Sequence, residues 1–222
     1  MGPSRDPGPI RTTKPERVWY LANLIMRNVI NLRSRANAVA VPTLVLLDLQ
    51  QEYIASPRVF AIPEAAEALQ YCRAALAHSR RLGLPVAFFR MITGSPFFNP
   101  VLYYSNWIPG FEPVNSDMVF ERSKPSCYAN SEFANAMTAG GGHFVLAGFS
   151  GEAGCLATAI DAFHRDHNVT FLADASASHE LDQISAASVH ETVLQIIQLY
   201  GNVTTTKEWI SEQGATAAIW AR

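Results

Sequence analysis

Cysteine is scarce in this sequence. Only Cys72, Cys127 and Cys155 occur in 222 residues. An odd number at wide spacing argues against a disulfide framework and for a reducing compartment. Metal-binding spacings are missing as well. There is no CxxC and no HExxH, so neither a metal nor another cofactor is expected. An excess of charge of one sign is also lacking. The formal net charge of −2 gives no electrostatic basis for binding nucleic acid or an anionic membrane. Long apolar runs are absent. The most apolar N-terminal stretch, residues 14–38, carries Trp19, Leu21, Leu24, Ile25, Val29 and Leu32 but is broken by Arg27, Arg33 and Arg35. It falls short of the roughly 20 apolar residues a membrane span needs. No small-residue cleavage site follows a clean apolar core, so a signal peptide is not expected. These absences together point to a cytoplasmic protein.

Hydrophobic residues make up 49% of the chain, which is a globular composition, and the length suits one sizeable core. Residues 1–10, rich in Pro, Gly and charge, read as disordered. Residues 14–38 read as a helical arm that packs on the domain or on a neighbouring subunit. A mitochondrial-type presequence is the alternative, because Glu16 is the only acidic residue in that stretch. Residues 1–40 are thus an extension, and 41–222 form a single domain.

Within that domain, apolar runs and amphipathic stretches alternate. Strands are expected at 43–47 (TLVLL), 85–90 (PVAFFR), 118–121, 144–147, 169–172 and 203–206. Helices are expected at 63–82, stopped by Gly83, then at 131–137, 155–163 and 185–200. Such alternation implies an α/β fold, with a mostly parallel central sheet covered on both faces in three α/β/α layers. Residues 93–118 form a long aromatic-rich loop. It would either line an apolar pocket or cover the sheet edge.

Chemistry in such sheets gathers at the carboxyl ends of the strands. That rule brings together Asp48, Arg90, the Arg122/Lys124 loop, the glycine-rich elbow at 148–155 and Asp174. A carboxylate that ends a buried strand is costly without a cation or a reaction to use it. Tyr53, Arg90 and Trp107 are candidates to line a substrate, and the aromatic loop suggests a cyclic or aromatic one.

Four stretches carry a family resemblance: LLDLQQEY at 46–53, ERSKPSCYANSEF at 121–133, AGFSGEAGCLATAIDAF at 147–163 and FLADAS at 171–176. They resemble the isochorismatase-like hydrolases, which include nicotinamidases, carbamoyl amidohydrolases and the isochorismatases proper. The resemblance covers about residues 43–206. It implies a small-molecule hydrolase, a homo-oligomer, and a triad of Asp, Lys and Cys in which Asp shuttles a proton and Cys attacks a carbonyl. It also implies a strained or cis peptide near Phe149–Ser150 that aims the Ser150 and Gly154 N–H groups at an oxyanion, and a structural use for Asp174.

Asp48 matches the Asp of that triad. The other two positions depart from it. Arg122, not a lysine, stands four residues before Ser126, and Lys124 follows two residues later. Counting back four from Thr158 and seven from Asp161 gives Gly154 as the nucleophile position, with Cys155 next to it. Cys155 shares a helical stripe with Ala159 and Ala162, so it is expected to be buried and turned away from Asp48. Two mechanisms stay open. With Gly154 at the apex, Asp48 works as general acid or base with a cation from Arg122 or Lys124, as the resemblance implies for vinyl-ether cleavage. With Cys155 at the apex, a thiolate forms a thioester and cleaves an amide C–N bond, the elbow N–H groups holding the oxyanion. A small-molecule-binding pseudoenzyme is the third reading.

Overall fold

The computed structural model describes residues 41–212. The arm expected at 14–38 lies outside the described residues. Six strands form one sheet: β1 (Thr43–Leu47), β2 (Val86–Met91), β3 (Met118–Arg122), β4 (His143–Gly148), β5 (Asn168–Ser176) and β6 (Asn202–Thr204). Their spatial order is β3-β2-β1-β4-β5-β6, and every pairing is parallel. Four helices connect them: α1 (Ala65–Leu82), α2 (Ser131–Ala139), α3 (Leu156–His164) and α4 (Ala186–Ile197).

Alternation along β1 shows why the sheet is buried on both sides. Leu44 and Leu46 join one core cluster, with Leu69, Cys72 and Leu76 of α1. Val45 and Leu47 point the other way, into a cluster with Phe133 of α2, Ala159 of α3 and Val193 of α4. Side chains two apart share a face, so a continuous apolar strand needs a helical layer on each side. The result is a three-layer α/β/α domain.

Most boundaries lie where the sequence puts them. Gly83 closes α1 in the left-handed conformation at φ 66°. Helix α1 starts two residues after Pro63, because 63–64 form a turn. The elbow differs more. Residues Gly151–Cys155 form a wide π-type turn, and the regular helix begins only at Leu156. β5 runs on to Ser176, past Asp174, with a register shift against β4. Asp174 accepts hydrogen bonds from Thr206 N at 2.8 Å and Thr206 Oγ1 at 2.7 Å, capping a helix at 206–212.

Chain order reverses between β1 and β4. The strands before the reversal lie to one side and the later ones to the other. A crevice opens beyond the strand ends at such a reversal, and ligands of open α/β sheets bind there.

Candidate active site

Asp48 follows β1 at that crevice, with no exposed surface on its side chain. Its backbone is left-handed, φ 51°, a conformation uncommon outside glycine that concentrates at functional sites. The Asp48 N–H donates to Phe89 O at 2.9 Å, and Asp48 O accepts from Gln50 N at 2.7 Å, so both peptide groups are fixed. Gln50 is a positioning residue that sequence reasoning missed. It is fully buried, accepts from Met91 N at 2.8 Å, and donates to Met91 O at 3.1 Å and Ser105 O at 3.0 Å. It thereby locks the end of β1 to the end of β2 and to the long loop. The signal for it was available: an amide three residues beyond a buried strand needs several partners.

Arg122 ends β3 and reaches across the end of β2. Its Nη2 donates to Asp48 Oδ2, while Nη1 donates to Lys124 O at 2.5 Å and Pro125 O at 2.8 Å. The guanidinium is 1% exposed. Burial pulls its pKa down, and Asp48 beside it more than reverses that. For Asp48 the balance goes the other way. Burial raises its pKa to about 6, against the lowering by Arg122. Asp48 Oδ1 has no hydrogen-bond partner of good geometry, although the Tyr53 phenol and the Met91 amide lie near enough to favour the charged form. An unpartnered carboxylate oxygen in a fully buried site is a group poised for a substrate or water.

The elbow supplies the opposite wall. Gly148 has φ 112°, and a Cβ there would sit 2.1 Å from Leu47 O, so only glycine lets β4 run this close to β1. The Phe149–Ser150 peptide is cis. Ser150 is buried and precedes the wide turn. Gly154 faces the ion pair: a Cβ there would lie 2.8 Å from Arg122 Nη2 and 2.8 Å from Leu47 Cδ2. Thr158 Oγ1 donates to Gly154 O at 2.7 Å and accepts from Cys127 N at 3.0 Å, which joins the elbow to the loop that follows Arg122.

Cys155 is directed at the ends of β4 and β5, near enough to the ion pair for the Arg122 and Asp48 charges to act on its thiol. Its Sγ lies 3.6 Å from Gly148 O and 3.9 Å from Ser176 Oγ, and the residue packs with Ala159 and Ala162 in the second core cluster. It has no exposed surface, and burial pushes the thiol well above its usual range. Cys127 is also buried, and burial raises its thiol to about 12. A thiol kept protonated is neither nucleophile nor base.

Other expected site residues divide. Lys124 is exposed, whereas Arg122 is the cation bonded to Asp48. The loop after β3 turns the Lys124 side chain into solvent, and only its carbonyl serves the site. Arg90 is half-buried at the end of β2. It pairs with Glu121 on the neighbouring strand and lies 6.0 Å from the Trp107 ring. Trp107 packs on Phe88 and bridges Gln50 through its backbone, supporting the site from outside. Tyr53 is buried beside Asp48, with burial first and then the Asp48 charge holding its phenol above the ordinary range. Its ring contacts Phe98, Phe149 and His179. Phe97 and Phe98 of the long loop pack on Phe60, so that part of the loop covers the site. A cavity of about 280 Å³ lies away from this crevice, between α1 and α4, and neither Asp48 nor Arg122 lines it. Among the described residues, no group of three or more His, Cys, Asp or Glu could hold a metal ion, and no helix is long and apolar enough to cross a membrane.

Comparison with known proteins gives the family and the fold. The isochorismatase domain family matches residues 42–208, and the chain belongs to that family. Among solved structures, an isochorismatase from Pseudomonas putida is 24% identical with a TM-score of 0.71, covering 76% of this chain and 89% of that one. A cysteine hydrolase from Pseudomonas syringae is 22% identical with a TM-score of 0.72, covering 77% and 92%. N-carbamoylsarcosine amidase from Thermoplasma acidophilum is 22% identical with a TM-score of 0.62, covering 74% and 96%. These likenesses establish the fold. No curated protein matches the chain.

Proposed function

We propose that this isochorismatase-family hydrolase acts on a small molecule without a covalent enzyme intermediate, using Asp48 as general acid and base and Arg122 as its fixed cation. One observation carries the reading: Gly154 stands opposite the Asp48–Arg122 pair, while the Cys155 thiol is turned onto Gly148 O and Ser176. A site with a proton carrier and no nucleophile suits a reaction that starts with proton transfer, and cleavage of a vinyl ether is one. Protonated Asp48 gives its proton to the alkene carbon, whose π pair forms the new C–H bond. Water adds to the resulting oxocarbenium carbon and returns a proton to Asp48. The hemiketal then breaks to a carbonyl compound and an alcohol. A pKa near 6 lets Asp48 hold a proton close to neutral pH and give it up readily. Arg122 stays charged throughout and steadies the carboxylate in mid-cycle. The Ser150 and Gly154 N–H groups are the proposed donors to the hydroxyl oxygen of the hemiketal, which becomes the product carbonyl.

One observation favours a binding-only reading: the side chains of Asp48 and Arg122 close on each other with 0% and 1% exposure. A single experiment separates the readings. Wild type, Asp48→Asn and Cys155→Ala are assayed on a panel of vinyl ethers, carboxamides and N-carbamoyl amines. Wild type and Cys155→Ala are expected to turn over a vinyl ether, and Asp48→Asn to lose roughly 10²–10⁴-fold in rate. A thioester trapped on Cys155 would restore the covalent amidase. Binding of panel members without turnover would identify a pseudoenzyme.

A further inference from the structure

Just beyond β5, a histidine joins three segments that are distant in sequence. His179 Nδ1 lies 2.7 Å from Glu152 Oε1, and its Nε2 lies 3.0 Å from Phe60 O. Its backbone N–H also points to Glu152 Oε2, at 3.4 Å. Glu152 belongs to the wide turn that carries Gly154, and Phe60 belongs to the covering segment after Tyr53, which packs on Phe98 and returns to Tyr53 O through Ile62 N–H at 2.9 Å. The ring itself contacts Tyr53 at 6.0 Å and Phe60 at 6.1 Å.

The two nitrogen partners determine the charge on the ring. A peptide carbonyl only accepts hydrogen bonds, and an ionised carboxylate only accepts. A neutral imidazole has one N–H, so it satisfies one of these partners and turns a lone pair towards the other. Both bonds hold together only when the ring carries two protons. Three groups face it. The Glu152 carboxylate comes from the elbow, the Tyr53 phenol from the turn after β1, and the Phe60 carbonyl from the covering segment. Glu152 is the charged one. A second ion pair, Arg58 with the buried Glu52, ties the same covering segment down independently.

We propose that His179 is a positioning residue: as an imidazolium it clamps Glu152, and with it the turn bearing Ser150 and Gly154, against the Phe60 segment. The significance for catalysis rests on the Asp48 site proposed above, but the clamp itself does not. The direction of each pKa agrees with this geometry. Burial pulls His179 down, yet the bonds to Glu152 and Phe60 outweigh it and the net direction is up. For Glu152, burial pushes up and the His179 bond outweighs it, so the net direction is down. Loss of the ring proton must therefore break one side of the clamp and loosen the turn.

The test needs no substrate. Full-length protein is titrated by NMR at the histidine Cε1–H and ring nitrogens, and amide protection factors are followed at residues 151–155. His179 is expected to titrate above its ordinary 6.5 with both nitrogens protonated below the midpoint. Protection of the turn is expected to drop about tenfold across that midpoint. In Glu152→Gln the midpoint should fall, and in His179→Gln the protection step should vanish. A His179 midpoint at or below 6.5, or a step that survives in both variants, would overturn the proposal. If Asp48→Asn kept full turnover the reading of the site would fail, yet the His179 titration would stand unchanged, so the two failures are distinguishable.

Discussion

At the scale of single residues, Gly154 and Arg122 occupy one volume between them. A methyl group at 154 would press on Arg122 Nη2 and Leu47 Cδ2, each at 2.8 Å. The guanidinium therefore fills the space that a nucleophile side chain on this elbow would need. The arginine at 122 and the glycine at 154 are thus one steric fact, and they should be energetically coupled. Gly154→Ala is expected to cost about 1–3 kcal/mol through overpacking. In an Arg122→Lys background the slimmer ammonium leaves room for the methyl, and the contact with Leu47 is common to both backgrounds. The cost of Gly154→Ala should then shrink by on the order of 1 kcal/mol. A double-mutant cycle in urea measures this. Additivity within about 0.5 kcal/mol would show that the two side chains do not share the space.

At the scale of elements, the elbow between β4 and α3 depends on backbone contact. Gly148 sits at φ 112° against Leu47 O, so neither its conformation nor its clearance admits a side chain. Gly148→Ala is expected to destabilise the domain by more than about 3 kcal/mol, or to prevent soluble expression, because both obstacles are backbone and cannot rotate away. Urea unfolding checks it; a cost below about 1 kcal/mol would mean that the strands separate easily here.

The elbow also shows what the sequence could disclose. TLVLL gave the bounds of β1 correctly, because a strand buried on both faces is an unbroken apolar run ending at a charge. Gly83 marked the end of α1, because only a residue tolerant of positive φ closes a helix that way. The wide turn at Gly151–Cys155 was not legible. Its extra backbone width leaves the apolar stripe of Cys155, Ala159 and Ala162 unchanged, so periodicity reads helix from Cys155 onward. Counting singled out Arg122 and Gly154, which lie against each other in the structure, since both positions are fixed in register from a helix or strand. It could not tell that Lys124 faces solvent, because the direction of a loop side chain depends on the turn rather than on spacing. Gln50 and His179 escaped notice for a different reason. Their partners, Ser105 for one and Phe60 and Glu152 for the other, are distant in sequence, and no local pattern announces them.

At the scale of the whole molecule, the ion pair at the switch point of the sheet ties stability to pH. Asp48 has its pKa raised by burial from 3.8 to about 6, so the folded state binds its proton more tightly than the unfolded chain does. The stability that this proton contributes is complete below the unfolded value. It is lost as pH rises through the folded one, so the window runs from about pH 4 to somewhat above pH 6. His179, also raised, acts in the same sense at higher pH: its contribution is present below 6.5 and disappears as pH rises through its folded value. Glu152, lowered, acts oppositely, with a contribution present above 4.5 and lost as pH falls. Between about pH 5 and about pH 7.5 the Asp48 and His179 effects both lower stability as pH increases. Replacing Asp48 with Asn removes one of them. It also leaves Arg122 buried without its anion, at a cost of about 3–5 kcal/mol that is independent of pH in this range. The absolute stability of Asp48→Asn should therefore fall, while its slope against pH between those two values becomes shallower than that of wild type. Urea titrations at both pH values, with equal m-values to establish a common unfolded state, measure the slopes. Parallel slopes for wild type and variant would mean that Asp48 is ionised throughout the window, and a carboxylate already ionised at about pH 5 could not open the reaction by giving up a proton.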